Sequence, residues 1–437
     1  MCSRSIKGSY DVVVIGSGMS GLATACILGR LGKKVLVLEQ HDRAGGCLHT
    51  FHEEGYRFSS GNHYIGGFDE TSLKLIEVCG SSVQKKEGTI ETFIRNGEKK
   101  VISDRHSWKE VMGCAPARVE RMADTMWWIA FVKLAPEWLA YLAWLFVCIF
   151  YSSSFEQYDS WMNGSGWCQM QEGDVGCKPI AMVGAAVSRH YMDGLSTLSE
   201  KFVYDCCRTI KNQGGCVVVN KRVEKIKHNG VLLSDSVFVP AKHIVSSVGV
   251  LGTCAMADLP RLNKVVTGLG QSVLHKFVFL GLQCSREDSG VPSGVIWISE
   301  EDQYLFVSSD VQGEKISIHL IADNMGVKDM IALFYKHYPR ARQFEKHLNS
   351  ASHYSVKKYL GRHSSYGLSC KGERFSTYKY VRMLRPDTSI PNLFLTGHDI
   401  LMPGIVSALT TAMMTSRQVM GISLVDTIMG KDIMDII

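Results

Sequence analysis

Gly16-Ser17-Gly18-Met19-Ser20-Gly21 sets three glycines at the spacing that cradles a pyrophosphate, and Glu39 stands eighteen residues beyond the last of them. Gly16 permits a tight turn, Gly18 lets backbone N–H groups approach an anion, and Gly21 lets the following helix pack on the preceding strand. A helix that starts there adds unpaired N–H groups and about half a positive charge. Glu39 is placed to accept hydrogen bonds from an adenosine ribose. These groups work only between two strands and a helix, and the sequence supplies all three. Asp11 to Ile15 is a short β-branched run that reads as a buried parallel strand. Leu22, Ala25, Cys26 and Gly29 follow at helical spacing, Gly32 stops the helix, and Lys33 and Lys34 sit at its negative end. Val35 to Leu38 is a second buried strand. Strand, glycines, helix, strand and acid in that order predict a dinucleotide site.

The next residues bear on which dinucleotide it is. Glu39-Gln40-His41-Asp42-Arg43-Ala44-Gly45-Gly46-Cys47 puts an arginine and paired glycines straight after the ribose acid. A nicotinamide domain would run on into another strand–helix unit. This pattern suits a longer cofactor extending past the pyrophosphate. It resembles the Arg-x-Gly-Gly fingerprint of the FAD amine-oxidase superfamily. The stretch Val37 to Phe51, followed by Gly61-Asn-His63-Tyr64-Ile-Gly66, resembles more narrowly the retinol saturase (all-trans-retinol 13,14-reductase) family of the carotenoid and phytoene desaturase branch.

Other stretches carry the same resemblance. Pro391 to Ile400 is similar to the closing fingerprint of that family, and Gly404 to Leu409 continues it. Leu393 to Leu395 reads as a buried strand turned by Thr396-Gly397, and Asp399 as an acceptor suited to a ribityl hydroxyl. Pro403-Gly404 starts a helix with Ile405, Ala408, Leu409, Ala412 and Met413 on one face. The N–H groups of its first turn, with Ile405 and Val406, would face the flavin pyrimidine edge. Arg189 to Gly194, with His190 and Tyr191, resembles an internal family segment, as does Gly361 to Gly367. By family position Val223 meets the adenine through its backbone. Two departures stand out. Ser59 replaces a family aspartate, and the glycine-rich segment after His190-Tyr191 shrinks to Gly194-Leu-Ser-Thr197.

The resemblance implies an α/β fold: a discontinuous Rossmann-like FAD-binding domain of the glutathione-reductase type, with an inserted α+β substrate domain. The cofactor pieces are residues 1–75, 195–255 and 355–437, and the inserted pieces are 76–194 and 256–354. FAD would be held non-covalently by Gly16, Ser17, Gly18, Met19, Ser20, Gly21, Glu39, Gln40, Arg43, Gly45, Gly46, Cys47, Val223, Gly397, Asp399, Gly404, Ile405 and Val406. NAD(P)H is the candidate electron donor, although no second glycine fingerprint marks a nicotinamide domain. His49, His63, Tyr64, His190 and Tyr191 are the candidates for handling the proton that accompanies hydride transfer, since family position sets them toward flavin or substrate. Three activities stay open: saturation of the 13,14 double bond of all-trans-retinol, desaturation or isomerisation of a carotenoid, and flavin binding with little turnover.

Composition narrows the partners. The chain of 437 residues is 46% apolar and 21% charged, and 48 basic against 42 acidic residues leave +6. That excess suits a membrane face or an anionic cofactor and points away from nucleic acid. Fourteen cysteines without a Cys-x-x-Cys read as reduced thiols in a reducing compartment, with no metal site. No cleavable signal peptide is expected at the N-terminus, and relatives place the protein peripherally at the endoplasmic reticulum. Met126 to Tyr151 holds four of the eight tryptophans, and its unbroken apolar run, Trp138 to Tyr151, is 14 residues. That is short of the roughly 20 needed to span a bilayer. A segment dipping into the membrane face, with Trp127 and Trp128 as anchors, is the leading expectation. A buried wall of an apolar substrate tunnel and a spanning helix are the alternatives.

Overall fold

The computed structural model describes residues 9–61, 70–85, 90–102, 128–148, 200–272, 274–301, 303–323, 325–351 and 373–422, with a few isolated residues between these stretches. Its centre is a five-stranded parallel sheet ordered Leu393–Leu395, His243–Ser246, Val12–Ile15, Val35–Leu38, Cys216–Val218. Val12–Ile15 lies in register with His243–Ser246 on one side and Val35–Leu38 on the other. Val12–Ile15 and Val35–Leu38 bury every residue, as apolar runs covered on two faces must.

Successive side chains leave a strand on opposite faces, so these runs feed two cores. Val12, Val14, Val35 and Val37 pack under the helices Met19–Arg30, Glu70–Val78, Glu200–Asn212 and Ile405–Met420. Val13, Ile15, Leu36 and Leu38 pack on the other side with a small antiparallel sheet, Val223–Lys227, Gly230–Leu233 and Phe238–Pro240, and the helices Val250–Met256 and Pro260–Leu269. Each such buried aliphatic contributes about 1.5–3 kcal/mol. The first helix ends one residue before Leu31, and Gly32 at φ +79° provides the left-handed stop expected from the sequence.

A second sheet of seven strands draws on Ile90–Arg95, Glu98–Ile102 and the strands between Lys276 and Ala351. It is antiparallel except where Gly294–Glu300 runs parallel to Ile90–Arg95. The hairpin Thr50–Glu53/Tyr56–Ser59, which follows the paired glycines, leans on this sheet. Ser59 N donates to His319 Nε2 at 3.0 Å, Arg57 N donates to Ser317 Oγ at 3.2 Å, and Phe51 meets Phe279 edge-on while Phe58 packs on it at a tilt. At Gly281 a Cβ would lie 2.6 Å from the Tyr56 ring, so the hairpin seats closely where the sheet lacks a side chain. The cofactor-proximal chain and the second sheet are therefore physically joined.

The tryptophan-rich segment forms two helices over 128–134 and 137–148, broken at Ala135-Pro136. Lys133 turns inward, fully buried, and donates to the carbonyls of Val381 (2.9 Å) and Leu384 (2.6 Å). Arg382 returns the arrangement, donating to the carbonyls of Val132, Lys133 and Ala135 and to Glu137 Oε2. Each cation thus satisfies carbonyls left open at the end of the other helix. Burial first, and the neighbouring Arg374 and Arg382 next, push the Lys133 pKa far below the usual lysine range. No helix among the described residues is long and apolar enough to cross a membrane, so the spanning alternative finds no support there. One face of 137–148 is buried through Ala140, Ala143, Trp144 and Val147, while Trp138, Tyr141, Leu142, Leu145 and Phe146 lie exposed on the other. Trp128 is half-buried against Phe131 and Phe146, and Trp127 lies outside the described residues.

Candidate functional site

The glycine loop and its acid form one hydrogen-bonded unit. Glu39, only 6% exposed, accepts from Ser17 N at 3.0 Å and Ser17 Oγ at 2.5 Å on Oε2, and from His41 N at 3.0 Å on Oε1. A carboxylate offers about four lone-pair sites, so one on Oε1 stays open for a further donor. The 39–41 turn is fixed from the far side, since Asn220 N donates to the His41 carbonyl and Lys221 N to the Glu39 carbonyl, both at 2.8 Å. That places Val223, the buried first residue of the small antiparallel sheet, two residues from Lys221, the acid's own anchor.

Gly16 takes φ +91°, and a Cβ on Gly21 would lie 2.3 Å from the Gly16 carbonyl oxygen and 2.6 Å from Ser247 Oγ. Ser247 Oγ clasps the same turn by donating to the carbonyls of Ile15 and Gly16. Gly18 differs: a Cβ there meets nothing within 4 Å. The close helix–strand packing and the open anion-facing side assigned to separate glycines are thus separated in space as well. Met19 and Ser20 begin the helix, with Gly18 as its N-cap.

The second fingerprint folds back over the first. Gly45 N donates to the Ser17 carbonyl at 3.1 Å and to Ser17 Oγ at 3.2 Å, and a Cβ on Gly46 would sit 3.1 Å from Gly18 Cα. Arg43 Nη1 lies 3.3 Å from His49 Nε2. Guanidinium only donates, so Nε2 accepts and His49 carries its proton on Nδ1. Burial, then Arg43, lower the His49 pKa. Both effects oppose the charging of His49, and the guanidinium occupies its one acceptor nitrogen. Gln40 and Cys47 flank this turn, with Cys47 half-buried against Gly61 and Gln40 exposed beside Gly361.

The closing fingerprint arrives at the same end of the parallel sheet. Gly397, at φ +109°, would bring a Cβ 3.6 Å from Ser20 Oγ, and Gly404, at φ +123°, caps Ile405–Met420, with Ile405 and Val406 in its first turn. That helix packs along Met19–Arg30, so the two fingerprint helices lie side by side. Asp399, the expected ribityl acceptor, is engaged by the backbone of two distant segments. Its Oδ2 accepts from Val250 N at 2.8 Å and its Oδ1 from Leu368 N at 2.9 Å. A Cβ on Gly367 or Gly249 would press on those oxygens at 2.3 and 3.0 Å. The carboxylate is enclosed by backbone and fastens three distant segments together. Burial alone would raise its pKa, but His398, Arg374 and the two backbone donors hold it below the usual range.

Sequence reasoning passed over three residues. Arg374, 2% exposed, donates to the carbonyls of His398, Asp399, Leu401 and Ser369 and clamps the closing turn from behind. Ser247 and Arg382 act through similar long-range contacts. His63, Tyr64, His190 and Tyr191 lie outside the described residues, as do Arg362, His363 and Ser365 within Gly361 to Gly367 and the segment beginning at Arg189. The structure therefore brings together His49, Glu39, both glycine fingerprints and the Gly397–Val406 turn.

These groups fit a dinucleotide that continues beyond its pyrophosphate. The open face of Gly18, the helix N-termini at Met19 and Ile405, and the spare lone pair of Glu39 are the features such a cofactor needs. Comparison with known proteins agrees. Residues 14–77 match the NAD(P)-binding Rossmann-like domain family. An all-trans-retinol 13,14-reductase of Danio rerio is 23% identical, over 93% of this chain and 85% of its own length. An inactive all-trans-retinol 13,14-reductase, also of Danio rerio, is 26% identical, over 78% of this chain and 64% of its own length. Among solved structures, a putrescine oxidase variant aligns with a TM-score of 0.66 at 15% identity, covering 95% of this chain and 99% of the oxidase. That likeness is one of fold, and with the parallel sheet it bears out the expected α/β framework. In sequence this chain is thus a relative of the all-trans-retinol 13,14-reductases, and in fold a relative of an amine oxidase.

Proposed function

We propose that this oxidoreductase uses non-covalently bound FAD to saturate a double bond of a conjugated apolar polyene of the all-trans-retinol class. The observation that carries the reading is the folding of Gly45-Gly46 onto Ser17-Gly18, which joins the two fingerprints into one cradle ending at His49. When bound, the flavin supplies hydride transfer at N5. Glu39 orients the ribose end, the Gly18 face receives the pyrophosphate, and the first turn of Ile405–Met420 offers N–H groups to the reduced ring. Burial and Arg43 oppose the charging of His49, whose Nε2 already accepts from the guanidinium, so the proton that joins the polyene comes from another group. NAD(P)H is the proposed source of electrons.

The polyene reaches the site from a membrane face. The exposed row Trp138, Tyr141, Leu142, Leu145 and Phe146 suits the interfacial region, where Trp and Tyr rings sit at headgroup depth. The inward burial of Lys133 removes the charge that would oppose that placement. The protein is accordingly proposed to sit peripherally on an intracellular membrane, that of the endoplasmic reticulum.

The test is anaerobic. Purified flavin-loaded protein is reduced, then titrated with all-trans-retinol while the visible spectrum is followed. Stoichiometric reoxidation with formation of the dihydro product supports the proposal. A reduced flavin indifferent to retinol and to carotenoids favours the second reading, a flavin-binding protein with little turnover, which the similarity to an inactive relative supports.

A further inference from the structure

Three thiols far apart in the sequence meet in the core behind the cofactor cradle. Cys26 lies on the fingerprint helix, Cys79 in the turn that ends Glu70–Val78, and Cys206 on Glu200–Asn212. All three are 0% exposed, and their sulfurs lie within 4.8 Å of one another. Their surroundings are aliphatic and aromatic, including Leu22, Leu75, Ile76 and Phe202. Cys26 Sγ also donates to the Cys206 carbonyl at 3.7 Å. Burial raises the pKa of Cys26 and Cys206, while hydrogen bonds from those two thiols lower that of Cys79.

Three sulfurs facing one another form a donor set for a soft, thiophilic ion. Charge decides which kind. Among the described residues, the core cluster that encloses these sulfurs is made of apolar side chains. A monovalent or divalent ion on three thiolates would leave net negative charge in an apolar core, at a cost of several kcal/mol. A trivalent ion on three thiolates is neutral. We infer that Cys26, Cys79 and Cys206 form a three-sulfur site for a trivalent soft ion of the arsenite class. Binding needs no redox step: As(OH)3 and three Cys–SH give As(S-Cys)3 and three water molecules. Three As–O and three S–H bonds break, three As–S bonds form, and each thiol proton leaves in water. The bound ion would tie three helices together directly behind the pyrophosphate loop.

The probe is sodium arsenite, offered to the full chain both in the native state and during refolding, with native mass spectrometry and thermal melting as readouts. One arsenic per chain with loss of three protons, and a raised melting temperature, is the expected result. Cys79→Ala should weaken binding at least tenfold, and Cys26→Ser/Cys206→Ser should abolish it, while Cys254→Ala and Cys284→Ala keep it. Should Cys79→Ala fail to fold, Cys206→Val keeps core volume and must show the same loss. Absence of the adduct in both native and refolded protein overturns the site, as does an adduct retained by the cluster variants. Uptake of Zn(II) or Cu(I) in place of arsenite overturns the charge argument.

Discussion

Gly18 and Gly21 share a motif, yet the structure predicts opposite consequences when each becomes alanine. Gly18 has φ −66° and ψ 175°, an extended conformation that alanine adopts freely, and a new Cβ would meet nothing within 4 Å. Removing glycine's extra freedom in the unfolded chain then stabilises flavin-free protein by about 0.4–1 kcal/mol. The same methyl stands where the pyrophosphate must approach the backbone. Losing one hydrogen bond to that charged group costs about 1.5–3 kcal/mol, which weakens flavin binding roughly tenfold to more than a hundredfold at about 1.4 kcal/mol per decade. Gly21→Ala forces a Cβ to 2.3 Å from the Gly16 carbonyl oxygen, so the helix must shift. Overpacking of this kind costs about 1–3 kcal/mol before any cofactor is considered. The assay pairs thermal melting of deflavinated protein with fluorescence titration of FAD. Gly18→Ala should melt at or slightly above the parent temperature and bind FAD poorly, whereas Gly21→Ala should lose both. Parent-like FAD affinity in Gly18→Ala, or destabilisation equal to that of Gly21→Ala, refutes the division of labour.

Asp399→Asn should flatten the acid limb of the stability curve. Its carboxyl titrates below the usual aspartate range in the folded chain, so its contribution is present above the unfolded-chain value and is lost as pH falls through the lower folded one; melting temperatures followed into the acid range would show it. Arg382→Ala should destabilise by about 3 kcal/mol in denaturant titration, because three carbonyls and the Glu137 carboxylate lose their donor. Arg382→Lys should recover only part, since an ammonium lacks the fork. Trp138→Glu/Leu142→Glu should lower co-sedimentation with liposomes severalfold without changing the melting temperature, because both side chains are more than half exposed; unchanged sedimentation would remove this face from the membrane.

Where a signal is local, it survives into three dimensions. The runs Val12–Ile15, Val35–Leu38 and Leu393–Leu395 are strands because a short apolar stretch bounded by polar or turn-forming residues has few other ways to bury itself. The break at Pro136 was likewise readable, as was the insufficient length of the Trp138 to Tyr151 run. Lys133 was harder: in the sequence it looks like a charge opposing burial, and only the carbonyls of Val381 and Leu384, some 250 positions away, make its burial tolerable.

The sequence by itself determined the dinucleotide cradle, since backbone conformation, glycine spacing and a helix start are properties of neighbouring residues. Tertiary structure alone decided what depends on chain segments returning from afar. Asp399 became a fastener because Val250 and Leu368 arrive at its two oxygens. Cys26, Cys79 and Cys206 became one cluster because three helices cross where no spacing rule reaches. Local pattern encodes which element forms, but the contacts of a side chain depend on which elements pack together, and that is settled by the shape of the whole core.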